Sequence, residues 1–305
     1  MTSTQSNATR INQANRLKKR KSTWLAYGML LPSMIILVVF TLYPIGESIY
    51  MSLFKNNMST FVTGPVWVGL QNYVTLFTRD AVFKKAFYNN LIIAAVTIPV
   101  SIALAVAMAL FANKVRRGKG IVRVSYFYPT LLPMVAVANI WLFVYTPMYG
   151  LLGYLAPTWR LLENVDTVLW ALIVMLVWKQ AGYVMIFYIS GLQGIDQEMY
   201  EAAKIDGANA VQAFRRITWP MLRPTTIYVT IITMTNAYKL VDHLYIMTKG
   251  GPDNASNMLL FYVYQKAFDQ SNTGVASAIT VVLIVILLLA TMVQFFTQDK
   301  RTFYA

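Results

Sequence analysis

The chain has 305 residues, of which 57% are hydrophobic and only 12% are charged, and its formal net charge is +14. Because a soluble domain has about 25% charged residues, this composition indicates an integral membrane protein. The absence of cysteine excludes disulfides, thiolate metal sites and cysteine nucleophiles.

The N-terminal residues 1–21 are polar and then basic, so they can bury little apolar surface. We predict that they form a disordered tail on the cytoplasmic side of the membrane. Their basic cluster could bind anionic lipid, although retention of the tail inside the cell is the favoured explanation.

Residues 22–305 are predicted to form an all-α integral membrane domain with six transmembrane helices. The six spans lie at about 24–46, 87–112, 124–145, 167–192, 224–243 and 274–297. Four of them contain uncharged stretches that reach the roughly 20 residues needed to cross hydrocarbon. The fourth and fifth contain Lys179 and Lys239, and such charges are tolerated only where they face protein or water. Pro129 and Pro133 predict a kink in the third span, either beside a cavity or for packing alone.

The distribution of Lys and Arg around these spans predicts their orientation. Seventeen lie in the termini and in the loops after the second and fourth spans, whereas seven lie in the opposite loops. Since cytoplasmic loops carry the basic excess, both termini are predicted to be cytoplasmic in a bacterial-type inner membrane. No aromatic-basic binding module accompanies this charge, which argues against a nucleic-acid partner.

The segment that follows the first span, residues 47–85, is predicted to lie outside the cell. It contains the aromatic-rich stretch WVGLQNYVTLF, which has the pattern of a helix at the membrane interface. We interpret this segment as a lid rather than as a separate domain.

The loop between the fourth and fifth spans, residues 193–223, is the least membrane-like part of the chain. Asp196 is suited to cap a short helix, and Gly207 is suited to end it. A second helix is predicted to begin near Asn209. Its apolar face is carried by Val211, Phe214 and Ile217. The loop is therefore predicted to be a cytoplasmic helix-turn-helix.

The sequence EAAKIDGANAVQAFRRITWP in this loop resembles the EAA loop of binding-protein-dependent ABC importers. That pattern is E-A-A, three residues, G, nine residues, I, one residue and L-P. The matching positions are Glu201, Ala202, Ala203, Gly207, Ile217 and Pro220. The chain departs from the pattern at Trp219, where Leu is usual.

The resemblance covers nearly the whole chain from about Trp24 onward. WVGLQNYVTLF, GLQGIDQEMYEAAKIDGA and DHLYIMTKGGP all look like the sugar-permease branch that includes maltose and glycerol-phosphate transporters. The chain departs from that branch at Asp196, where proline is usual, although Asp can still cap the helix.

The resemblance implies a type I importer transmembrane domain whose EAA loop is a coupling helix seated in an ATPase subunit. The implied coupling residues are Glu201, Ala202, Ala203, Asp206, Gly207 and Ala208. The chain has no phosphate-binding loop of its own, so it is expected to be non-catalytic and to hold no cofactor or metal. ATP and Mg would bind to two partner ATPase subunits. A second permease, expected to form a heterodimer although a homodimer is possible, and an extracytoplasmic solute-binding protein complete the implied assembly.

Polar and aromatic residues in the fourth and fifth spans are the candidates for the solute pathway, because charges at membrane depth are expensive and so point to function. The candidates are Trp178, Lys179, Gln180, Tyr183, Asn236, Tyr238, Lys239, Asp242 and His243. Two lysines against one aspartate suggest an anionic solute, such as an acidic, sulfonated or phosphorylated sugar. Alternatively, Lys239 forms an ion pair with Asp242 on one helix face. We interpret His243 as a hydrated hydrogen-bonding residue rather than a switch.

Two other classes of protein fit parts of the pattern. An ion-coupled secondary transporter of a small polar solute would need no ATPase, but such proteins usually have ten or more helices with internal repeats. A membrane-embedded enzyme would need paired acids, a metal cluster or an activated nucleophile. A single histidine with one neighbouring carboxylate is too little for that chemistry.

Overall fold

The computed structural model describes residues 25–60, 62–115, 117–239 and 241–298. The predicted tail at residues 1–21 lies outside them. The chain divides into two compact units at the bond between Met51 and Ser52, and each unit is described by itself.

The first unit contains one helix, α1, which runs from Leu25 to Met51 and is long and apolar enough to cross a membrane. The predicted first span is therefore confirmed as a helix. A π-helical turn at Val38–Leu42 interrupts its regular ladder just before Pro44. Proline has no backbone N–H to donate to the preceding turn, which explains the local irregularity.

The second unit begins with a short antiparallel ribbon, in which β1 (Phe54–Lys55) pairs with β2 (Val66–Trp67). Helix α2 follows at Gln71–Thr78, within the stretch predicted to be an interfacial helix. Its Asn72 side chain donates to the carbonyl oxygens of Ser52 and Phe54, at 2.7 and 2.9 Å, and so fixes the helix against the ribbon.

The centre of the second unit is formed by two long helices, α3 (Ala81–Lys114) and α7 (Val168–Gln193). Asp80 caps the start of α3 by accepting a hydrogen bond of 2.9 Å from the backbone N–H of Phe83. Buried alanines of α3 share one core cluster with larger residues of α7, including Tyr188. Small side chains let helix backbones approach closely, which is how helices associate where no hydrophobic driving force acts.

The predicted third span is broken. Helix α4 (Lys119–Leu131) and helix α5 (Met134–Tyr145) meet at an angle of 97°. The predicted third span at 124–145 is thus not one continuous helix, and the kink expected at Pro129 and Pro133 is a full break. Pro133 causes the break, because proline holds the preceding Leu132 in an extended conformation with ψ of 134°.

Between α5 and α7 lies one short helix, α6 (Leu151–Leu155). Beyond α7, the helical hairpin is formed by α8 (Gln197–Ile205) and by α9, which begins at Ala210–Ala213 and continues through a π-helical turn to Met221.

The predicted fifth span is also broken. Helix α10 (Arg223–Tyr238) has 16 residues, and the separate helix α11 (Asp242–Met247) follows it. The chain then forms α12 (Leu259–Tyr264) and the last long helix, α13 (Thr273–Gln298).

Among the described residues, four helices are long and apolar enough to cross a membrane, namely α1, α3, α7 and α13. The bent α4–α5 pair would count as a fifth. The predicted number of six spans is not reproduced by this criterion, because α10 is too short.

The loop after α11 is tied to the start of α3 by a polar network. The backbone N–H of Leu259 donates to Asn90 Oδ1 at 2.7 Å, and Asn89 donates to two carbonyl oxygens of the loop. Lys85 also pairs with Asp253 at 2.6 Å. These contacts hold the irregular loop against a long helix.

Helices α4 and α7 approach so closely that only glycine fits at residue 182. A Cβ added there would overlap the carbonyl oxygen of Tyr126 on α4. This contact fixes the distance between the two backbones.

We expect Gly182→Ala to lower the melting temperature of the purified protein, because overpacking of this kind typically costs about 1–3 kcal/mol. Gly120→Ala is the matched control, since nothing lies within 4 Å of a Cβ added at that helical glycine. It should be neutral or stabilising by about 0.5–1 kcal/mol. Equal melting temperatures for the two variants would contradict the close contact.

Candidate functional site

A cavity of about 360 Å³ lies where α4, α5, α7 and the end of α10 meet. Six of the nine predicted solute-pathway residues line it. They are Lys179, Gln180, Tyr183, Asn236, Lys239 and Asp242. The structure thus brings these six together, and their role in binding solute remains a prediction.

Helical periodicity explains the contribution of α7. Leu176, Lys179, Gln180 and Tyr183 are separated by three or four residues, so they lie on one face of the helix. The end of α10 contributes Asn236 to the wall. Because α10 stops at Tyr238, the following residues leave the helix and line the cavity too.

The ammonium of Lys179 is bound to backbone carbonyls. Its Nζ donates to the oxygens of Leu132, at 2.7 Å, and Pro129, at 3.3 Å. Thr130 Oγ1 in turn donates to the carbonyl oxygen of Lys179 at 3.4 Å. These partners explain how a charge is accommodated midway along an apolar helix.

Lys239 is not paired with Asp242. No ion pair joins them among the described residues, and α10 ends before Lys239 whereas Asp242 begins the separate helix α11. The alternative of a structural pair on one helix face is therefore wrong, because residues three apart share a face only where the helix continues. The Nε2 of Gln180 is also buried without a hydrogen-bond partner in the described structure. The cavity wall thus contains polar groups that have no hydrogen-bond or ion-pair partner within the described residues.

Three predicted pathway residues lie outside this wall. Tyr238 is buried in the core, and Trp178 is 38% exposed and packs edge-on against Trp141 with ring centroids 5.6 Å apart. His243 is completely buried, and neither ring nitrogen has a partner in the described structure. The interpretation of His243 as a hydrated residue is wrong, because α11 packs it into the protein.

Four lining residues were missed by sequence reasoning, namely Thr130, Met134, Leu176 and Val241. Thr130 and Met134 flank the break at Pro133, so the prolines were the available signal. Leu176 and Val241 resemble any other apolar residue in a predicted span, and nothing in the sequence marks them.

The second candidate site is the pair α8 and α9, which we call the EAA hairpin (residues 197–221). Gly207 has φ of +78°, the left-handed conformation that ends a helix. The N–H groups of Gly207 and Ala208 donate to the carbonyls of Lys204 and Ala203, at 3.1 and 2.9 Å. Asn209 then starts α9 with a reciprocal capping box to Gln212. The predictions for Gly207 and Asn209 are confirmed, and Asp196 occupies the N-cap position of α8 without a side-chain capping bond.

One face of the EAA hairpin is packed against the rest of the second unit. The Tyr200 hydroxyl lies 2.9 Å from Thr218 Oγ1, which joins the two helices. Tyr200, Phe214 and Ile217 also pack against the core cluster that contains Leu192 at the end of α7. The EAA hairpin is therefore attached firmly to the helix that lines the cavity.

The other face of the EAA hairpin is exposed. It carries the predicted coupling residues, of which Glu201, Ala202, Asp206 and Gly207 are exposed and Ala203 and Ala208 are half-buried. Two large apolar residues are exposed beside them, Ile205 at 87% and Val211 at 66%. Val211 was predicted to share one apolar face of α9 with Phe214 and Ile217, but only those two pack against the core, because α9 turns Val211 outward. Apolar residues grouped on a surface indicate a contact with another protein.

Comparison with known families decides the class of the protein. The family described as "Binding-protein-dependent transport system inner membrane component" matches residues 98–302, a range that contains both the cavity and the EAA hairpin. The chain belongs to this family. The permease is thus a multi-pass protein of the inner membrane, and the prediction from the EAA motif is confirmed at this level. The alternative of an ion-coupled secondary transporter is set aside.

Relatives match the permease over almost their whole length. The probable ABC transporter permease protein YurN of Bacillus subtilis is 35% identical over 286 residues, which cover 90% of this chain and 97% of YurN. The sn-glycerol-3-phosphate transport system permease protein UgpA of Agrobacterium fabrum is 30% identical over 285 residues, covering 92% and 96%.

A solved structure has the same fold. It is the crystal structure of a bacterial ABC transporter involved in the import of the acidic polysaccharide alginate. The TM-score is 0.79 at 22% identity, and the match covers 94% of this chain and 99% of that chain.

The cavity wall can be tested with cysteines, because the permease has none of its own. Asn236 lines the cavity, whereas the adjacent Ala237 is 2% exposed. We expect Asn236→Cys to react with a charged, water-soluble thiol reagent about tenfold faster than Ala237→Cys, since thiol reactivity needs access. Equal rates at the two neighbouring positions would contradict the assigned cavity.

Proposed function

We propose that this chain is the permease subunit of an ATP-driven importer that moves a sugar or sugar derivative delivered by an extracytoplasmic binding protein. The observation that carries the proposal is the EAA hairpin, which is packed on one face and exposes apolar residues on the other. An exposed apolar face of this kind fits a groove on a partner. The partner we propose is one of two ATPase subunits, which bind the ATP and Mg, and the permease itself performs no catalysis.

The position of the EAA hairpin suits it to transmit force. Helix α7 ends at Gln193 and leads into α8 through a three-residue link, and α9 leads into α10 through Leu222. Lys179 and Asn236, which both line the cavity, belong to these two flanking helices. A displacement of the hairpin by the ATPases would thus move both walls and exchange access between the two sides of the membrane.

Carbohydrate is the solute class that the cavity and the relatives favour. Amide, phenol, ammonium and carboxylate groups in one cavity can bind the hydroxyls of a sugar. UgpA is named for sn-glycerol-3-phosphate. AmyD of Thermoanaerobacterium thermosulfurigenes is 28% identical over 281 residues and is named for starch degradation products.

Within that class, we propose an acidic, sulfonated or phosphorylated sugar. The cavity contains two lysines and one aspartate, and the ammonium of Lys179 is already bound to backbone carbonyls. Lys239 is exposed and has no side-chain partner in the described structure. A cation in this position would favour an anionic solute, in agreement with the phosphate ester named for UgpA.

The assembly that we propose has a second permease, different from this chain, beside it in the inner membrane. One chain supplies only one side of a pathway, since its cavity is open rather than enclosed by α4, α7 and α10. The distribution of basic residues supports cytoplasmic N- and C-termini. Membrane lipid then covers the apolar surface that no subunit covers.

The coupling role is tested with Glu201→Lys and Gly207→Val in the complete assembly. Valine at φ of +78° is strained by about 1–2 kcal/mol, and the new charge meets the proposed groove directly. We expect either change to reduce binding-protein-stimulated ATP hydrolysis and solute uptake in proteoliposomes by about tenfold or more.

Glu198→Lys is the matched control, because Glu198 is an exposed acid on the same helix outside the predicted coupling set. It should retain both activities. Normal assembly and uptake in the Glu201 and Gly207 variants would contradict the proposed coupling role of the EAA hairpin.

The preference for an anion is tested with Lys239→Met. Loss of a charge-assisted hydrogen bond should reduce uptake of acidic sugars by about tenfold and leave neutral sugars little changed. Lys249→Met, in the loop after α11, is the control for loss of a positive charge elsewhere. Equal reductions for acidic and neutral sugars would remove the proposed preference.

A further inference from the structure

The break between α4 and α5 leaves specific backbone groups without helical partners. In a continuous helix, the carbonyl of Pro129 would accept from the N–H of the residue four positions later, which is Pro133. Proline has no N–H, so this carbonyl is orphaned by the sequence itself. The carbonyl of Leu132, in its extended conformation at the break, is likewise outside both helices.

Lys179 supplies hydrogen bonds to these two carbonyls. Its ammonium contacts Leu132 O at 2.7 Å and Pro129 O at 3.3 Å. An ammonium has three hydrogens and can therefore serve two acceptors at once. Because an unsatisfied carbonyl is unfavourable at membrane depth, the charged side chain and the broken helix stabilise each other.

The contact between α4 and α7 is fixed at further points near Lys179. Thr130 Oγ1 donates to the Lys179 carbonyl. One turn further along α7, Gly182 lies directly against the backbone of Tyr126. Helix α4 is thus held to α7 up to the break, and α5 begins immediately beyond it.

The geometry of the break shapes the cavity. Thr130, before the break, and Met134, after it, both line the cavity beside Leu176 and Lys179 of α7. A change in the angle between α4 and α5 would therefore move one wall. Because α7 leads into the EAA hairpin, any displacement of α7 reaches that wall through Lys179.

From this geometry we infer that Lys179 is a positioning residue, which acts through the α4–α5 break and couples movement of α7 to the cavity wall. Lys179 does not determine the preference for an anionic solute. We assign that role to Lys239. The inference rests on the proposed importer function and deepens it, because it assigns different tasks to the two lysines of one cavity.

The test compares Lys179→Met, Lys179→Arg and Lys239→Met in proteoliposomes that contain the complete assembly with its ATPases and binding protein. The measurement is the number of solute molecules taken up per ATP hydrolysed, for one neutral and one acidic sugar. We expect Lys179→Met to lower this ratio about tenfold for both sugars, since two charge-assisted hydrogen bonds are lost.

Conservative rescue separates positioning from a general effect on structure. Lys179→Arg keeps several donors, so it should restore the ratio to within about threefold of the wild type. A ratio in Lys179→Arg no better than in Lys179→Met would overturn the inference. A lower ratio for the acidic sugar alone in Lys179→Met would also overturn the inference, because Lys179 would then determine the preference for an anionic solute.

A further variant keeps the test informative if Lys179→Met does not assemble. Lys179→Gln retains two amide hydrogens without a charge, and it should retain part of the coupling for both sugars. Selective loss of acidic uptake in this variant would overturn the inference. The proposed function fails separately, if the wild-type assembly shows no ATP hydrolysis stimulated by the loaded binding protein.

Discussion

The fold depends on one constraint: backbone groups at membrane depth must find hydrogen-bond partners within the protein. Regular helices satisfy it along α3, α7 and α13. The breaks after α4 and after α10 do not satisfy it by themselves, and both occur where the chain lines the cavity. Irregular backbone is tolerated in a membrane protein only where it is buried in protein or faces a cavity that can hold water. The position of the cavity and the positions of the broken helices therefore have the same physical cause.

This constraint explains what could be predicted from the sequence. Long uncharged stretches require helices, so α1, α3 and α13 were found from length and apolarity alone, whereas the span of α7 was assigned although Lys179 interrupts it. The EAA hairpin was found from Gly207 and Asn209, because the conformations that end and begin helices have strong residue preferences. The third span was predicted as one helix with a kink and the fifth as one span that contains Lys239, so the full breaks in both were missed. Hydropathy is averaged over a window of residues, so it does not show where a helix breaks. It also does not show whether a neighbouring helix supplies hydrogen bonds to the carbonyls that a proline leaves unpaired. The two-residue strands β1 and β2 are too short for a periodic pattern.

The candidate site could be predicted from the sequence to a similar extent. Helical spacing places Lys179, Gln180 and Tyr183 on one face of α7, and they do line the cavity together. The same reasoning fails for Lys239 and Asp242, because it assumes a helix that has already ended. Burial of His243 depends on how α11 packs, which no local pattern encodes. Charge and polarity thus indicate which residues of the spans are candidates for the cavity wall. The separate tasks that we propose for Lys179 and Lys239 follow instead from the backbone groups that each one contacts or lacks.

The two faces of the EAA hairpin and the two breaks fit one mechanical argument. A rigid connection between a partner surface and a cavity requires that the intervening elements do not bend. The EAA hairpin is joined internally by Tyr200 and Thr218, and α7 is a continuous helix of 26 residues. Within the described residues, the irregular backbone at the cavity lies outside this path, at the α4–α5 break that contacts Lys179 and after Tyr238 at the end of α10. Bending is least costly where the helical ladder is already interrupted. Movement of the EAA hairpin would therefore change the shape of the cavity in which we propose that the solute binds.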